Sequence, residues 1–148
     1  MAIRVSVQEE PFDFGAEAEG FAAGRTDMGA VVTFTGVVRD VSGTLETMEI
    51  EHYPGMTQKA LEKIAAEAEA RWDLGEVLVI HRYGRMGPGE RIMMVATASK
   101  HRGHAFEAAE YLMDYLKSRA PFWKKESGAE GTSWVAAKDE DEDALSRW

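Results

Sequence analysis

Val77-Leu-Val-Ile-His-Arg-Tyr-Gly-Arg-Met-Gly-Pro-Gly-Glu-Arg-Ile-Met-Met-Val-Ala96 contains two unbroken apolar runs, Val77–Ile80 and Ile92–Ala96, on either side of Gly87-Pro-Gly89. A strand with one wet face alternates apolar and polar residues. A continuous run therefore predicts a central strand covered on both faces. The Gly-Pro-Gly break is a turn that lets the two runs pair as a hairpin. Such strands need helices to cover them, and the flanking text supplies two. Leu61, Ile64, Ala65, Ala68 and Trp72 recur at helical spacing after Pro54-Gly55, with Lys59, Glu62, Lys63 and Glu67 turned to water and Gly75 as a candidate C-cap. Ala105, Phe106, Ala109, Leu112, Met113 and Leu116 give a second long helix its buried face.

Further out, Ile3, Val5 and Val7 alternate with Arg4 and Ser6, a half-buried strand. Asp13 can cap a short helix that carries Phe14, Ala18 and Phe21 and ends near Gly24. Gly29–Val38 is β-branched and aromatic. Leu45–Tyr53 sets Met48, Ile50 and His52 against Glu49 and Glu51. The polar loop Arg39–Thr44 between these strands predicts a long hairpin. Phe122–Lys125 and Ser133–Ala136 read as closing strands. The order β-α-β-β-α-β-β-α-β-β lacks strict alternation and any glycine fingerprint for nucleotides. It predicts an α+β fold, a mostly antiparallel sheet packed by helices. One domain is expected over residues 1–148, with an acidic C-terminal segment at 138–148.

The 148 residues suffice for one hydrophobic core, and no apolar run approaches membrane-spanning length. The N-terminus shows no export signal and the chain has no cysteine, which excludes disulfides, thiolate metal sites and cysteine nucleophiles. A cytoplasmic address is the default expectation. The net charge of −9 argues against nucleic-acid binding, but it hides an asymmetry. Between His81 and Lys125 there are nine Lys/Arg against four Asp/Glu, a local balance of +5, while Asp139–Asp143 is an acidic run that reads as a solvated tail. A basic segment inside an acidic chain points to a local anion site.

Tyr111-Leu-Met-Asp-Tyr-Leu-Lys-Ser-Arg-Ala-Pro-Phe-Trp-Lys-Lys-Glu126 reads as a helix end, a stop at Pro121 and an aromatic-basic strand. Lys117 before the break and Lys124 after it can meet across the turn. A lysine near a second cation in a partly dry pocket loses proton affinity and becomes usable as a nucleophile or acid–base group. The plainer alternative is a pair of solvated lysines complementing the helix dipole. Lys100-His101-Arg102-Gly103-His104 lies at the start of the same helix, where free N–H groups and Arg102 suit a phosphate or carboxylate. There the alternative is a helix capped by Ser99 with exposed cations. No carboxylate stands at ligand spacing beside the imidazoles, so neither zinc nor another metal is expected. Arg39 follows Gly36 at a strand end, where a ligand can approach closely or a bulge can form. His52 reads as a core histidine. Arg102 and Lys117 are about 22 Å apart along one helix. If both clusters serve one small anion, a homodimer in which each pocket draws one cluster from each subunit is the natural solution.

Val31-Val-Thr-Phe-Thr-Gly-Val-Val-Arg39, Glu51-His-Tyr-Pro-Gly-Met-Thr57, His81-Arg-Tyr-Gly84, Lys100-His-Arg102 and Asp114-Tyr-Leu-Lys-Ser-Arg-Ala-Pro-Phe-Trp-Lys-Lys-Glu126 together resemble the large, catalytic subunit of molybdopterin synthase, the MoaE family. The match is collinear over nearly the whole chain, including Arg147-Trp148. The resemblance implies an α/β-hammerhead fold and a homodimer within a heterotetramer, with a small ubiquitin-like (MoaD-like) sulfur-carrier subunit at each end. The Gly-Gly tail of that partner bears a thiocarboxylate, and two sulfurs pass to cyclic pyranopterin monophosphate to make the dithiolene of molybdopterin. No cofactor is implied. By motif matching, Lys117 and Lys124 fall on the family's essential lysines, and Arg39, His101 and Arg102 on its substrate-binding positions. Lys125 and Glu126 extend the pocket. Val37 stands where some relatives carry lysine. Two rivals differ in what they require: a non-catalytic binding module needs only charge at position 117, and a phosphosugar-type isomerase turns over without a protein partner.

Overall fold

The computed structural model describes residues 2–128, 131–135 and 139–148. In chain order these form β1 (Ala2–Gln8), α1 (Phe14–Gly20), β2 (Ala30–Val37), β3 (Leu45–His52), α2 (Met56–Trp72), β4 (Glu76–Arg82) and β5 (Gly84–Met86). The chain continues as β6 (Arg91–Ser99), α3 (Arg102–Ser118), β7 (Phe122–Gly128), β8 (Gly131–Trp134), α4 (Asp139–Ala144) and a single 3₁₀ turn at Leu145–Arg147. The strands make two four-stranded sheets, β1-β4-β6-β2 and β5-β3-β7-β8. Only the β1–β4 pairing is parallel. The α+β expectation therefore holds, with two sheets in place of one.

The apolar runs sit where their pattern puts them. Val77 and Val79 of β4 face a core with Leu61 and Ala65 of α2 and Leu112 of α3. Leu78 and Ile80 face the other way, onto Phe21 and the α1 side chains Phe14 and Ala18. Both faces are covered, so the alternation vanishes. β4 pairs antiparallel with β6, Val79 opposite Val95, while β5 branches from between them into the second sheet. Leu61 and Leu112 are both 0% exposed, and truncating either to alanine costs about 2–5 kcal/mol in a core of this kind.

Some expectations are overturned. β2 and β3 do not form a hairpin: β2 pairs with β6 in the first sheet and β3 with β5 and β7 in the second. The connecting segment instead crosses between sheets, with Asp40 accepting from the N–H groups of Gly43 and Leu45. Phe106 is 62% exposed, and the α3 stripe runs through Ala105, Ala108, Ala109, Leu112 and Leu116 with Tyr111 beside it. Asp73, in the left-handed conformation, ends α2, and Gly75 is already donating to Ala98 in the sheet. The acidic run is helical as α4, tied to α3 by an Arg119–Glu142 ion pair of 2.7 Å. Ala136 and Lys138, the ends of two predicted segments, lie outside the described residues.

Candidate active site

Two local features fix the break between α3 and β7. The Arg119 N–H closes the last turn on Tyr115, and the Phe122 N–H donates to Ala120 across Pro121. Thr57, fully buried at the start of α2, accepts from the Tyr53 N–H at 3.1 Å and donates its hydroxyl to the Pro121 carbonyl at 3.2 Å. The turn is thus held by α2 as well as by its own backbone.

β7 leaves this turn paired along β3, with Phe122 opposite His52, Lys124 opposite Ile50 and Glu126 opposite Met48. Strand alternation sends Phe122, Lys124 and Glu126 to one face, and Trp123 and Lys125 to the other. On that reverse face Trp123 donates to Glu51 at 3.0 Å, and the Lys125 ammonium is 3.5 Å from Glu49 and 5.4 Å from the Trp134 ring centroid. On the inner face a cleft of about 140 Å³ opens between the end of α3, the start of β7 and the edge strand β2. Lys117, Lys124 and His81 are its polar lining; Phe34, Val37, Met113 and Phe122 are among its apolar walls. A larger hollow of about 310 Å³ lies along β1, lined by Arg4 and Glu17. Those two already pair with each other, so its one lining cation is already matched by a carboxylate.

Lys117, from a helix end, and Lys124, from a strand, therefore line one cleft, the first of the two arrangements that the sequence left open. The other candidates lie outside this cleft. Arg39 is exposed, two residues beyond Val37 of the lining. Glu126 shares the face of Lys124 but borders a separate polar hollow with Ser42, Thr44 and Ser133. His101 and Arg102 are exposed at the opposite end of α3. His101 is the N-cap residue with no side-chain cap on the helix, and Ser99 accepts only the N–H of His101 itself. Among the described residues the first turn of α3 thus has no side-chain cap. His52 packs its ring 4.2 Å from Tyr83 but is only half-buried, at the border of the core and not inside it. Among the described residues no three His, Asp or Glu side chains gather as a metal site.

Sequence reasoning passed over His81. Its ring stacks on Phe122 at 3.7 Å between centroids, and its Nδ1 lies 2.8 Å from the Arg82 carbonyl. Burial pushes its pKa down to about 3; the Arg82 carbonyl opposes that shift, while Lys124, Lys117 and His52 add to it. The signal was present in β4: the alternation of Val77 and Val79 continues to His81 on the same face. Arg82 next to it is structural, donating to Glu9, Glu90 and Arg91.

A small cleft with two lysines among apolar walls, set at a helix–strand junction of a two-sheet α+β fold, offers positive charge of a kind that suits a compact anion. The family model for MoaE protein matches residues 7–119. The molybdopterin synthase catalytic subunit of Cereibacter sphaeroides is 68% identical over 146 residues, which are 99% of this chain and all of that relative. The solved structure of the molybdopterin biosynthesis MoaE protein from Burkholderia ambifaria superposes with a TM-score of 0.84 at 50% identity, covering 100% of this chain and 98% of that one. The crystal structure of molybdopterin synthase from Staphylococcus aureus gives a TM-score of 0.80 at 32% identity, over 88% of this chain and 96% of that one.

The chain belongs to the MoaE family. It is an enzyme of molybdenum cofactor biosynthesis, and its reaction is the sulfur transfer that forms the dithiolene of molybdopterin.

Proposed function

We propose that Lys117 and Lys124 are the catalytic groups of this reaction. In it, sulfur passes from the thiocarboxylated Gly-Gly tail of a small ubiquitin-like subunit to cyclic pyranopterin monophosphate. The observation that carries this reading is the convergence of both lysines in one apolar-walled cleft. Two ammonium groups there attract a thiocarboxylate and stabilise negative charge that develops at the reacting carbon. Lys117 acts at the reacting carbon or the thiocarboxylate, covalently or by charge, and Lys124 as proton donor or electrostatic stabiliser. A chain without cysteine suits a reaction whose sulfur arrives on a partner.

Arg39, His101 and Arg102 are the proposed substrate-binding residues, with Glu126 extending the surface past Lys124. Lys125, on the reverse face, serves β7 through Glu49 and Trp134. A cleft of about 140 Å³ is smaller than the roughly 300 Å³ from which small-molecule sites begin. It takes a peptide tail or one edge of a pterin, and the remainder must be held elsewhere. A homodimer meets that need by bringing His101 and Arg102 from a second copy. The edge strand β2 carries Val31, Phe34 and Val37 at 48%, 43% and 47% exposure, and Phe106 stands exposed on α3, which packs on β2. Apolar side chains along a sheet edge suit such a contact. One domain spans residues 1–148 in this reading. The assembly works in the cytoplasm in this reading. Among the described residues no helix is long and apolar enough to cross a membrane.

The test is incubation of the protein with cyclic pyranopterin monophosphate and the thiocarboxylated small subunit, followed by mass spectrometry. Dithiolene product is expected only with the partner present, and is expected to vanish in Lys117→Ala while partner binding persists. Tight partner binding without product would favour a binding module.

A further inference from the structure

The lysine cleft contains one group to which the proposed chemistry gives no role. His81 is 7% exposed and belongs to the face of β4 that looks toward α3. Its ring is held at two points, by the face of Phe122 and by the Arg82 carbonyl. A carbonyl oxygen only accepts, so Nδ1 must carry the hydrogen. Buried beside two lysines, the ring is neutral near pH 7. A neutral imidazole with its hydrogen on Nδ1 leaves Nε2 as a bare acceptor. The rest of the lining is apolar side chains, one glycine and the two lysines, which only donate. Nε2 is therefore the one strong side-chain acceptor in the cleft lining among the described residues.

We propose that His81 is a positioning residue of this cleft: its Nε2 accepts a hydrogen from the Lys124 ammonium and holds that cation toward the reacting atoms. Lys124 stands on the same face of β7 as Phe122, the residue stacked on the imidazole. It also acts on His81 more strongly than Lys117 does. A neutral acceptor is suited to the task. Asp or Glu in its place would neutralise the ammonium and repel both a thiocarboxylate and a phosphate, whereas imidazole orients the cation and leaves its charge intact. The inference rests on the sulfur-transfer reading for what Lys124 faces. The hydrogen bond can be tested without it.

Full-length protein carrying ¹⁵N-histidine is examined by long-range ¹H–¹⁵N correlation, alone and as Lys124→Met and Lys117→Met. The expected spectrum shows His81 neutral with its hydrogen on Nδ1 between about pH 5 and 8, and an Nε2 resonance that moves in Lys124→Met and far less in Lys117→Met. A protonated Nε2, or an Nε2 resonance indifferent to Lys124→Met, overturns the proposal. This readout needs no turnover, so it stands apart from failure of the proposed reaction. In the synthase assay His81→Phe keeps a stacking ring without an acceptor, and His81→Gln restores an oxygen near the Nε2 position. His81→Phe is expected to lower kcat about 10–100-fold with KM and partner affinity little changed, and His81→Gln to recover most of the loss. Unchanged kcat in a folded His81→Phe, or a folded His81→Gln as slow as it, overturns the role. If His81→Phe does not fold, the spectrum and His81→Gln decide.

Discussion

In an unfolded chain His81 titrates near the ordinary 6.5, whereas in the fold it is pushed down to about 3, burial first and the lysines and His52 after it. Between those values the unfolded state binds a proton that the native state refuses. Stability is therefore complete above pH 6.5 and falls as the pH drops below it, by up to about 1.4 kcal/mol per unit for this one group. Denaturant melts at intervals from pH 7 to pH 5, above the range where most carboxylates titrate, isolate the effect. Wild type should lose stability faster on acidification than His81→Gln, and parallel pH profiles for the two would remove His81 as the cause. Lys117 yields a second prediction at this scale. Lys117→Arg keeps the charge but replaces a compact ammonium with a planar, wider guanidinium. If Lys117 acts at a reacting atom, turnover should fall at least about 100-fold while partner affinity holds. A near-normal rate would mean that charge alone suffices.

The end of α3 must be held still for Lys117 to keep its place, and the last residues of the chain act on that element. Arg147 donates to both carboxylate oxygens of Asp114, at 2.9 and 2.8 Å, and the Trp148 indole N–H donates to the same carboxylate at 2.6 Å. The Trp148 ring stands edge-on to Trp72 and Tyr111, at 5.5 and 5.6 Å, which links α2 and α3. Trp148→Ala should cost about 2–3 kcal/mol, read as a lower denaturation midpoint. Faster amide exchange over the last two turns of α3 should accompany it; a stability loss that leaves those amides protected would mean the clamp does not reach the site. This clamp was not legible in the sequence, because an acidic stretch followed by Arg-Trp has no local signature of docking. Most elements were legible, since apolar period fixes helix or strand within a few residues; the three-residue β5 and the acidic α4 were not, because neither carries an apolar period of its own. Strand partners were not legible either. β2 and β3 look like a hairpin because they are neighbours in sequence with similar patterns, yet β2 pairs with β6, Val31 opposite Ala98 and Thr35 opposite Met94. Local text records which face of a strand is apolar, and only the assembled core decides which sheet receives it. Phe106 was misplaced for a related reason: in α3 it lies one residue, about 100° around the helix, from Ala105.

The two cationic clusters of α3 stand at opposite ends of a 17-residue helix, so no rearrangement of side chains within one chain lets both grip one small substrate. Lys117 and Lys124 could be paired from the sequence because they flank one turn. The partner of Arg102 could not, because in a shared-site dimer it lies on a second copy. Co-expressing two differently tagged forms, Lys117→Ala and Arg102→Ala, and purifying dimers that carry both tags tests this directly. In a shared-site dimer, one pocket combines the intact Lys117 of one chain with the intact Arg102 of the other, and the second pocket carries both lesions. Each homodimeric variant should be nearly inactive, and the mixed dimer should recover about half the wild-type rate, one intact pocket of two. If each site is built within one chain, both pockets of the mixed dimer carry a lesion and no activity returns. The outcome also bears on the cleft itself. Recovery would explain why a pocket of about 140 Å³ suffices in one chain, since the neighbour completes it.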